Sequence, residues 1–392
     1  SHRALRCDSP VPPNPPASRP DPPDREPGRA IRRNAIAASS RADHAGVVLP
    51  LSEIARLRAT VDDRWRSPVA DAAVARWGRP PGSALFWRSS ARHVFVVLDE
   101  SGTRREAYLR LAPDRVLGRE VIETVTAVNA ALAAHGLDVV RPVPSVDGRF
   151  VESVDTAEGV FHAVLVTAAA GEQLDVDALT EARARAWGTA LARFHRIGAA
   201  VLTGGVAADG LTALPDGLTR LRVTVPLLDG DPPVARAARV VLERAEAMPR
   251  DQGCYGLVHL DFELDNLTWS AETPVVFDLD EMERSWYAAD LASAVRDLVP
   301  EPLALLDGPV PALDGVLAGY GEEGFAEPPD GPTLALFTAV NAIRSLARLL
   351  PVLAEEPVTL SVMNGEGDLR QVLEAYALRQ RTIVLDLADR LG

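Results

Sequence analysis

The sequence predicts an α+β chain of two lobes, a small lobe of strands with one helix and a larger, mostly helical one. Three observations carry this expectation. Between Ala84 and Thr167 the apolar residues fall in short runs separated by turn residues, with one helical stretch among them. After Gly171 the apolar spacing becomes almost wholly helical. The chain has 392 residues, and single cores stop growing at about 250–300. The expected division is a tail over 1–45, an N-terminal lobe over 46–167 and a C-terminal lobe over 168–392.

In chain order, the first thirty residues hold nine prolines with scattered Arg, Asp and Ser. Such a segment buries too little apolar surface to offset its ordering entropy, so disorder is predicted, with a proline-rich ligand as the lesser alternative. Leu51, Ile54 and Leu57 recur at helical spacing, and 69–77 forms a second helix stopped by Gly78 and Pro80. Strands follow at 84–87, 93–98 and 107–111, the last two joined through Glu100-Ser101-Gly102. A helix over 119–134 closes at Gly136. Strand texture returns at 139–143, 149–154 and 160–167, with turns at Asp147-Gly148 and Glu158-Gly159. Beyond that, helices are expected at 179–197, 234–248, 291–299, 313–320, 334–353 and 369–391.

Hydrophobic residues make up 47% of the chain, enough for a substantial interior. The 41 basic and 55 acidic residues leave a net charge of −14, which argues against nucleic acid or an anionic membrane as partner. No run reaches the roughly 18 apolar residues of a membrane helix, and Ser1-His2 opens no leader-like pattern. Only Cys7 and Cys254 are present, so no disulfide framework is expected and a reducing cytoplasm fits. The chain contains no lysine. A P-loop ATPase, which needs one, is thereby excluded.

The most informative segment is His259-Leu260-Asp261-Phe262-Glu263-Leu264-Asp265-Asn266, followed by Val275-Val276-Phe277-Asp278. Phosphoryl transfer from a nucleotide needs a carboxylate to orient and deprotonate the acceptor hydroxyl, an amide oxygen on one metal ion, and a second carboxylate bridging the metals. Asp261, Asn266 and Asp278 supply those groups in that order. Leu257-Val258 leads into the loop as a strand, and a hairpin turning at 270–273 returns Asp278 beside Asn266.

These residues resemble the aminoglycoside phosphotransferase-like family, the small-molecule branch of the protein-kinase-like fold. The family loop reads His-Gly-Asp-x-x-x-x-Asn, and its metal aspartate ends an Ile-Asp-Phe/Trp strand. Here Leu260 replaces the glycine, and Phe277-Asp278-Leu279 is the strand end. An aromatic pair followed by Asp-Leu-Ala is matched by Trp286-Tyr287-Ala288-Ala289-Asp290-Leu291-Ala292. The resemblance spans about 83–320, is specific in its C-terminal motifs and loose before them. It implies a bilobal kinase-like fold and transfer of phosphate from ATP, with Mg²⁺, to a hydroxyl of a small molecule.

The resemblance also assigns roles. His259 holds Asp261 in position, and Asn266 and Asp278 hold the metal. Arg110, in Ala107-Tyr108-Leu109-Arg110-Leu111, replaces the kinase lysine at the phosphates, where guanidinium grips bidentately. A helix glutamate should keep it extended; Glu123 and Glu120 are the candidates, although the preferred register falls on Val125. Ser89-Ser90-Ala91-Arg92 stands where a Gly-rich loop is usual and offers hydroxyls and amides to phosphate. Val166-Thr167-Ala168 forms the hinge, with backbone groups for adenine. Asp290 braces the catalytic loop while capping a helix, and His195 packs behind it.

Asp280, Glu281 and Glu283, with Glu322, Glu323 and Glu327, form either a solvated charged face or an acidic acceptor pocket. With the −14 charge, the pocket reading favours a cationic amino-alcohol, aminoglycoside, or homoserine- or choline-like acceptor. Two other readings remain. A nucleotide-binding scaffold without turnover is motivated by the missing lysine and Gly-rich loop, and the intact Asp-Asn-Asp set opposes it. A protein Ser/Thr kinase lacks its Ala-Pro-Glu after Asp278.

Overall fold

The computed structural model describes residues 49–204, 214–356 and 368–392. The expected tail over 1–45, with Cys7, lies outside them. Helices α1 (Leu51–Arg58) and α2 (Pro68–Val74) come first. Ser67 caps α2 by accepting from the Val69 amide, and Pro68 occupies the first turn, where an amide has no intrahelical partner.

Five strands come next: β1 (Ala84–Ser89), β2 (His93–Leu98), β3 (Arg105–Pro113), β4 (Val151–Thr156) and β5 (Gly159–Thr167). They form one antiparallel sheet ordered β1-β2-β3-β5-β4. Because side chains alternate across a strand, Leu109 and Leu111 of β3 point into a core shared with α2, while Tyr108 and Arg110 face the opposite side. Helix α3 (Arg119–Ala134), between β3 and β4, has the predicted bounds.

The expected strand at 139–143 is a correction. It makes only isolated bridges, Val139 to Val276 and Pro142 to Val166. Pro142 and Pro144 have no amide to donate to a ladder. The segment instead ties the sheet to the C-terminal lobe, through Val140 N–H to Val276 O (3.0 Å) and Thr167 N–H to Arg141 O (2.9 Å).

The helical C-terminal lobe contains α4 (Glu181–Thr203), α5 (Gly217–Thr224), α6 (Pro232–Glu246), α7 (Tyr287–Ala294), α8 (Ala304–Asp307), α9 (Asp314–Glu322), α10 (Gly331–Leu353) and α11 (Leu369–Leu391). Two strand pairs lie among them, β6 (Tyr255–Val258) with β9 (Glu283–Trp286), and β7 (Leu267–Ser270) with β8 (Thr273–Val276). Helices α4 and α9 approach closely because both contribute glycine: a Cβ on Gly188 or Gly319 would lie 1.9 Å from a backbone oxygen of the other helix.

Two helices depart from expectation. The one expected over 291–299 ends at Ala294, and a short 3₁₀ turn over Arg296–Leu298 carries Arg296 toward the 259–266 loop. Helix α10 is long and apolar enough to cross a membrane by length and composition, although Asn341, Arg344 and Arg348 interrupt its apolar run. Of its apolar window, 67% is buried inside the lobe, and it places Arg344 and Arg348 on buried glutamates.

Candidate active site

Strand β6 leads directly into the loop that carries His259 to Asp261, and Asp290 in the first turn of α7 fixes their path. Its two oxygens accept the His259 and Leu260 amides, each at 2.7 Å, and His195 Nε2 lies 3.0 Å from one of them. Asp290 is fully buried, so satisfying two backbone donors there removes a cost of about 1–3 kcal/mol for each. These bonds hold Leu260 at φ 63°, left-handed backbone that glycine would adopt without strain. The leucine is retained with its side chain 1% exposed, and its carbonyl accepts from Ser293 Oγ at 2.5 Å. His259 Nδ1 accepts the Asp261 amide at 3.2 Å, the positioning contact expected of it.

Asn266 is buried and donates from Nδ2 to both the Asp261 carbonyl (3.0 Å) and Asp261 Oδ2 (2.6 Å). Its Oδ1 is buried without a hydrogen-bond partner among the described residues. The Phe277 amide donates to the Asn266 carbonyl at 3.0 Å. The β7–β8 hairpin thus returns Asp278 beside Asn266, as its sequence implied. An acceptor oxygen with no donor beside a carboxylate suits a hard divalent cation, which takes oxygen ligands and completes its shell with phosphate and water. Among the described residues no group of three or more His, Cys, Asp or Glu could hold a metal by itself.

Three arginines, two from the sheet and Arg92 from its β1–β2 turn, reach these carboxylates. Arg110 Nη2 lies 2.5 Å from Asp278 Oδ1 and 2.5 Å from Asp280 Oδ2; Arg88 Nη2 is 2.8 Å from Asp278 Oδ2, and Arg92 Nε is 2.8 Å from Asp280 Oδ2. Burial opposes charge on Arg110, but Asp278 and Asp280 outweigh it and raise its pKa. The Asp261 pKa is raised as well, which for a carboxylate disfavours the charged form. Burial, then the neighbouring Glu263 charge, raises its pKa well above the usual range, against the opposing pull of Arg296.

A cleft of about 540 Å³ opens between sheet and helical lobe. Trp87, Tyr108 and Val166 give it apolar walls, and Arg88, Arg110 and Asp278 a charged end. Thr167 and Ala168 line it as expected, but their amides are engaged by Arg141 and Glu106 carbonyls, both at 2.9 Å.

Other expected residues stand elsewhere. Glu123 is not the partner of Arg110: it is exposed and pairs with Arg119 one turn earlier at 2.7 Å, while buried Val125 occupies the inward register. Glu120 is exposed too. Ser89 and Ser90 do not line the cleft. Ser89 Oγ is bonded to His93 Nδ1 at 2.8 Å, and the Ser90 backbone closes a turn with Arg92 and Leu49. Glu281 and Glu283 are buried in ion pairs with Arg348 (3.0 Å) and Arg344 (2.6 Å), not open to solvent, because α10 packs across them. Glu322 and Glu323 bond Arg185 and Arg196 of α4. Sequence reading missed Arg88 and the pairing role of Asp280. Their only signal was position, Arg88 in the first strand and Asp280 two residues beyond Asp278.

The model of a phosphotransferase enzyme family matches residues 84–329, well over half the chain. The chain belongs to the phosphotransferase enzyme family. Among curated proteins it is similar to amicoumacin kinase of Bacillus subtilis (strain 168), 24% identical over 202 residues. That match covers 50% of this chain and 60% of the relative. The fold is also that of several solved structures. An amicoumacin kinase in complex with AMP-PNP, Ca²⁺ and Ami superimposes with a TM-score of 0.66 at 19% identity, covering 85% of this chain and 96% of that one. A microcompartment-associated aminopropanol kinase gives 0.57 at 20% identity, covering 82% and 96%. Spectinomycin phosphotransferase in complex with ADP and spectinomycin gives 0.54 at 12%, covering 81% and 95%.

Proposed function

We propose that this protein transfers the γ-phosphoryl group of ATP to a hydroxyl of a small molecule, with a divalent cation, Mg²⁺ in the cell. One observation carries the reading: Asn266 anchors Asp261 through Nδ2, its Oδ1 lies buried without a partner among the described residues, and its carbonyl accepts the amide of Phe277, next to Asp278. Asn266 and Asp278 would hold the metal, which when bound neutralises charge on the phosphates. The cleft would take the nucleotide, with Arg110 and Arg88 turned to its phosphates. Asp261 orients the acceptor hydroxyl and takes its proton. The acceptor oxygen forms its bond to γ-phosphorus as the bond to the β-bridging oxygen breaks, and ADP leaves with that electron pair. The family match and the nucleotide-bound neighbours support this reading.

A second reading has its own observation. Arg88 and Arg110 each take one oxygen of Asp278, an arrangement that also suits a nucleotide-binding scaffold without turnover. Incubation with ATP, Mg²⁺ and a panel of amino-alcohols, sugars and aminoglycosides separates the two. ADP release that depends on acceptor supports the kinase; metal-independent ATP binding with no release across the panel supports the scaffold.

A further inference from the structure

Arg110 shares one nitrogen between two carboxylates. Its Nη2 lies 2.5 Å from Asp278 Oδ1 and 2.5 Å from Asp280 Oδ2. Among the described residues these are the carboxylates paired with it. The backbone brings both to the same place. Asp278 follows β8 in left-handed conformation, φ 65° and ψ 61°, and the chain then enters a 3₁₀ turn over Leu279–Glu281. That turn sends successive carboxylates to different partners, Asp280 to Arg110 and Glu281 to Arg348 at 3.0 Å.

Asp280 is itself held from a second side. Arg92 Nε, in the β1–β2 turn, is 2.8 Å from the same Oδ2 that accepts from Arg110. Arg92 is buried, and its carbonyl accepts the Ser90 amide at 3.0 Å, which closes the turn that carries it. Helix α3 packs against the 279–281 turn but sends no carboxylate to Arg110. Its inward residue is the buried Val125, and Glu120 and Glu123 are exposed.

Arg110 and Asp278 both line the cleft, and Asp280 does not. Asp280 therefore reaches a bound nucleotide only through the guanidinium it holds. The three groups also compete. An arginine committed to Asp278 opposes a metal ion at that carboxylate, whereas a second carboxylate that the metal does not use gives the cation another anchor. Resting on the reading above, we propose that Asp280 is the positioning residue for Arg110: pinned by Arg92, it fixes the guanidinium at the charged end of the cleft and leaves Asp278 to the metal. The carboxylate that orients the phosphate-binding cation is thus supplied by the turn after β8 and not by helix α3.

The test is a double-mutant cycle on the full chain, read by calorimetric binding of ATP with Mg²⁺, of ATP with chelator, and of adenosine. Asp280→Asn should weaken ATP binding with Mg²⁺ by about tenfold, as coupled neighbours do, and leave adenosine binding unchanged. With chelator the loss should be smaller, because Asp278 then has no metal to hold. In an Arg110→Ala background the same substitution should weaken ATP binding no further, since the residue through which Asp280 acts is gone. Asp280→Glu keeps the charge one methylene further out and should recover part of the affinity. The cycle run with Asp280→Glu must show the same non-additivity, and that arm decides if the asparagine variant does not fold. Equal losses for ATP and adenosine, or losses that add in the double variant, would make Asp280 a structural residue only and overturn the inference. Acceptor-dependent ADP release by the wild type is measured in parallel. Non-additive ATP binding without release sustains the inference and sinks the kinase reading, and release with additive losses does the reverse. A wild type that binds no ATP overturns both.

Discussion

Arg110 and Asp278 meet at 2.5 Å across the two lobes, and Asp280 accepts from the same nitrogen. The proposed phosphate-binding cation and the proposed metal-binding carboxylate are therefore one ion pair.

That pairing changes what Arg110→Ala should do. Read from the strand alone, Arg110 is an exposed residue whose loss affects turnover more than stability. It is in fact 11% exposed, and its removal strips a partner from two carboxylates that are themselves 12% and 13% exposed. Breaking a buried pair costs about 3–5 kcal/mol, with Arg88 and Arg92 moderating the loss here. Arg110→Ala should lower both the denaturation midpoint and turnover. Arg110→Lys should recover stability more fully than turnover, because ammonium keeps the charge and loses the bidentate grip. Urea denaturation and ADP release on the two variants check this; a full-stability Ala variant contradicts it.

Asp261→Asn should abolish transfer and stabilise the fold. Loss of a positioned base costs about 10²–10⁴-fold in rate. The sign of the stability change follows from the raised pKa of Asp261. A group that binds its proton more tightly when folded contributes stability at low pH and loses it as pH rises through its folded pKa. At neutral pH the wild type carries that loss and the asparagine does not, so the variant's melting temperature should be higher at pH 7 and converge with wild type toward pH 4. By the same logic, wild-type turnover should fall as pH drops through the raised value. Equal melting temperatures at pH 7 would remove the argument.

Glu123→Gln should be silent. The Arg119–Glu123 pair is an exposed i,i+4 pair, worth about 0.3–0.5 kcal/mol. The KM for ATP should match wild type, whereas a severalfold rise would restore the glutamate–cation pair expected from the sequence.

Leu260→Gly sets two effects against each other. Glycine would relieve the left-handed strain at φ 63°, worth roughly 1–2 kcal/mol. It would also delete a side chain that is 1% exposed, and removing a buried leucine costs about 2–5 kcal/mol. Burial should win, giving a less stable protein with the loop still held by Asp290. Calorimetric unfolding decides the sign.

Asp278→Asn should weaken ATP binding with Mg²⁺ far more than without it, because the proposed ligand loses its charge while Arg88 and Arg110 are freed for phosphate. Titration calorimetry with and without chelator measures both. Identical loss under the two conditions would argue against Asp278 as a metal ligand.

The sequence by itself determined the local parts of this protein. The His259–Asn266 spacing, the hairpin that returns Asp278, the bounds of α3 and the alternation of β3 are set by interactions among residues near one another in the chain, and periodicity and turn chemistry report those. Tertiary structure alone decided which charges meet. Arg110 finds Asp278 and Asp280, separated by 168 and 170 positions, rather than Glu123. Glu281 and Glu283 find Arg348 and Arg344, 67 and 61 positions away. Helical spacing states which face a charge occupies, but not what packs against that face. A carboxylate with an open solvent shell and one beneath an arginine of α10 look the same in a list of residues. Burial makes the difference, since only a packed interface removes the water that would otherwise screen each charge from its neighbour.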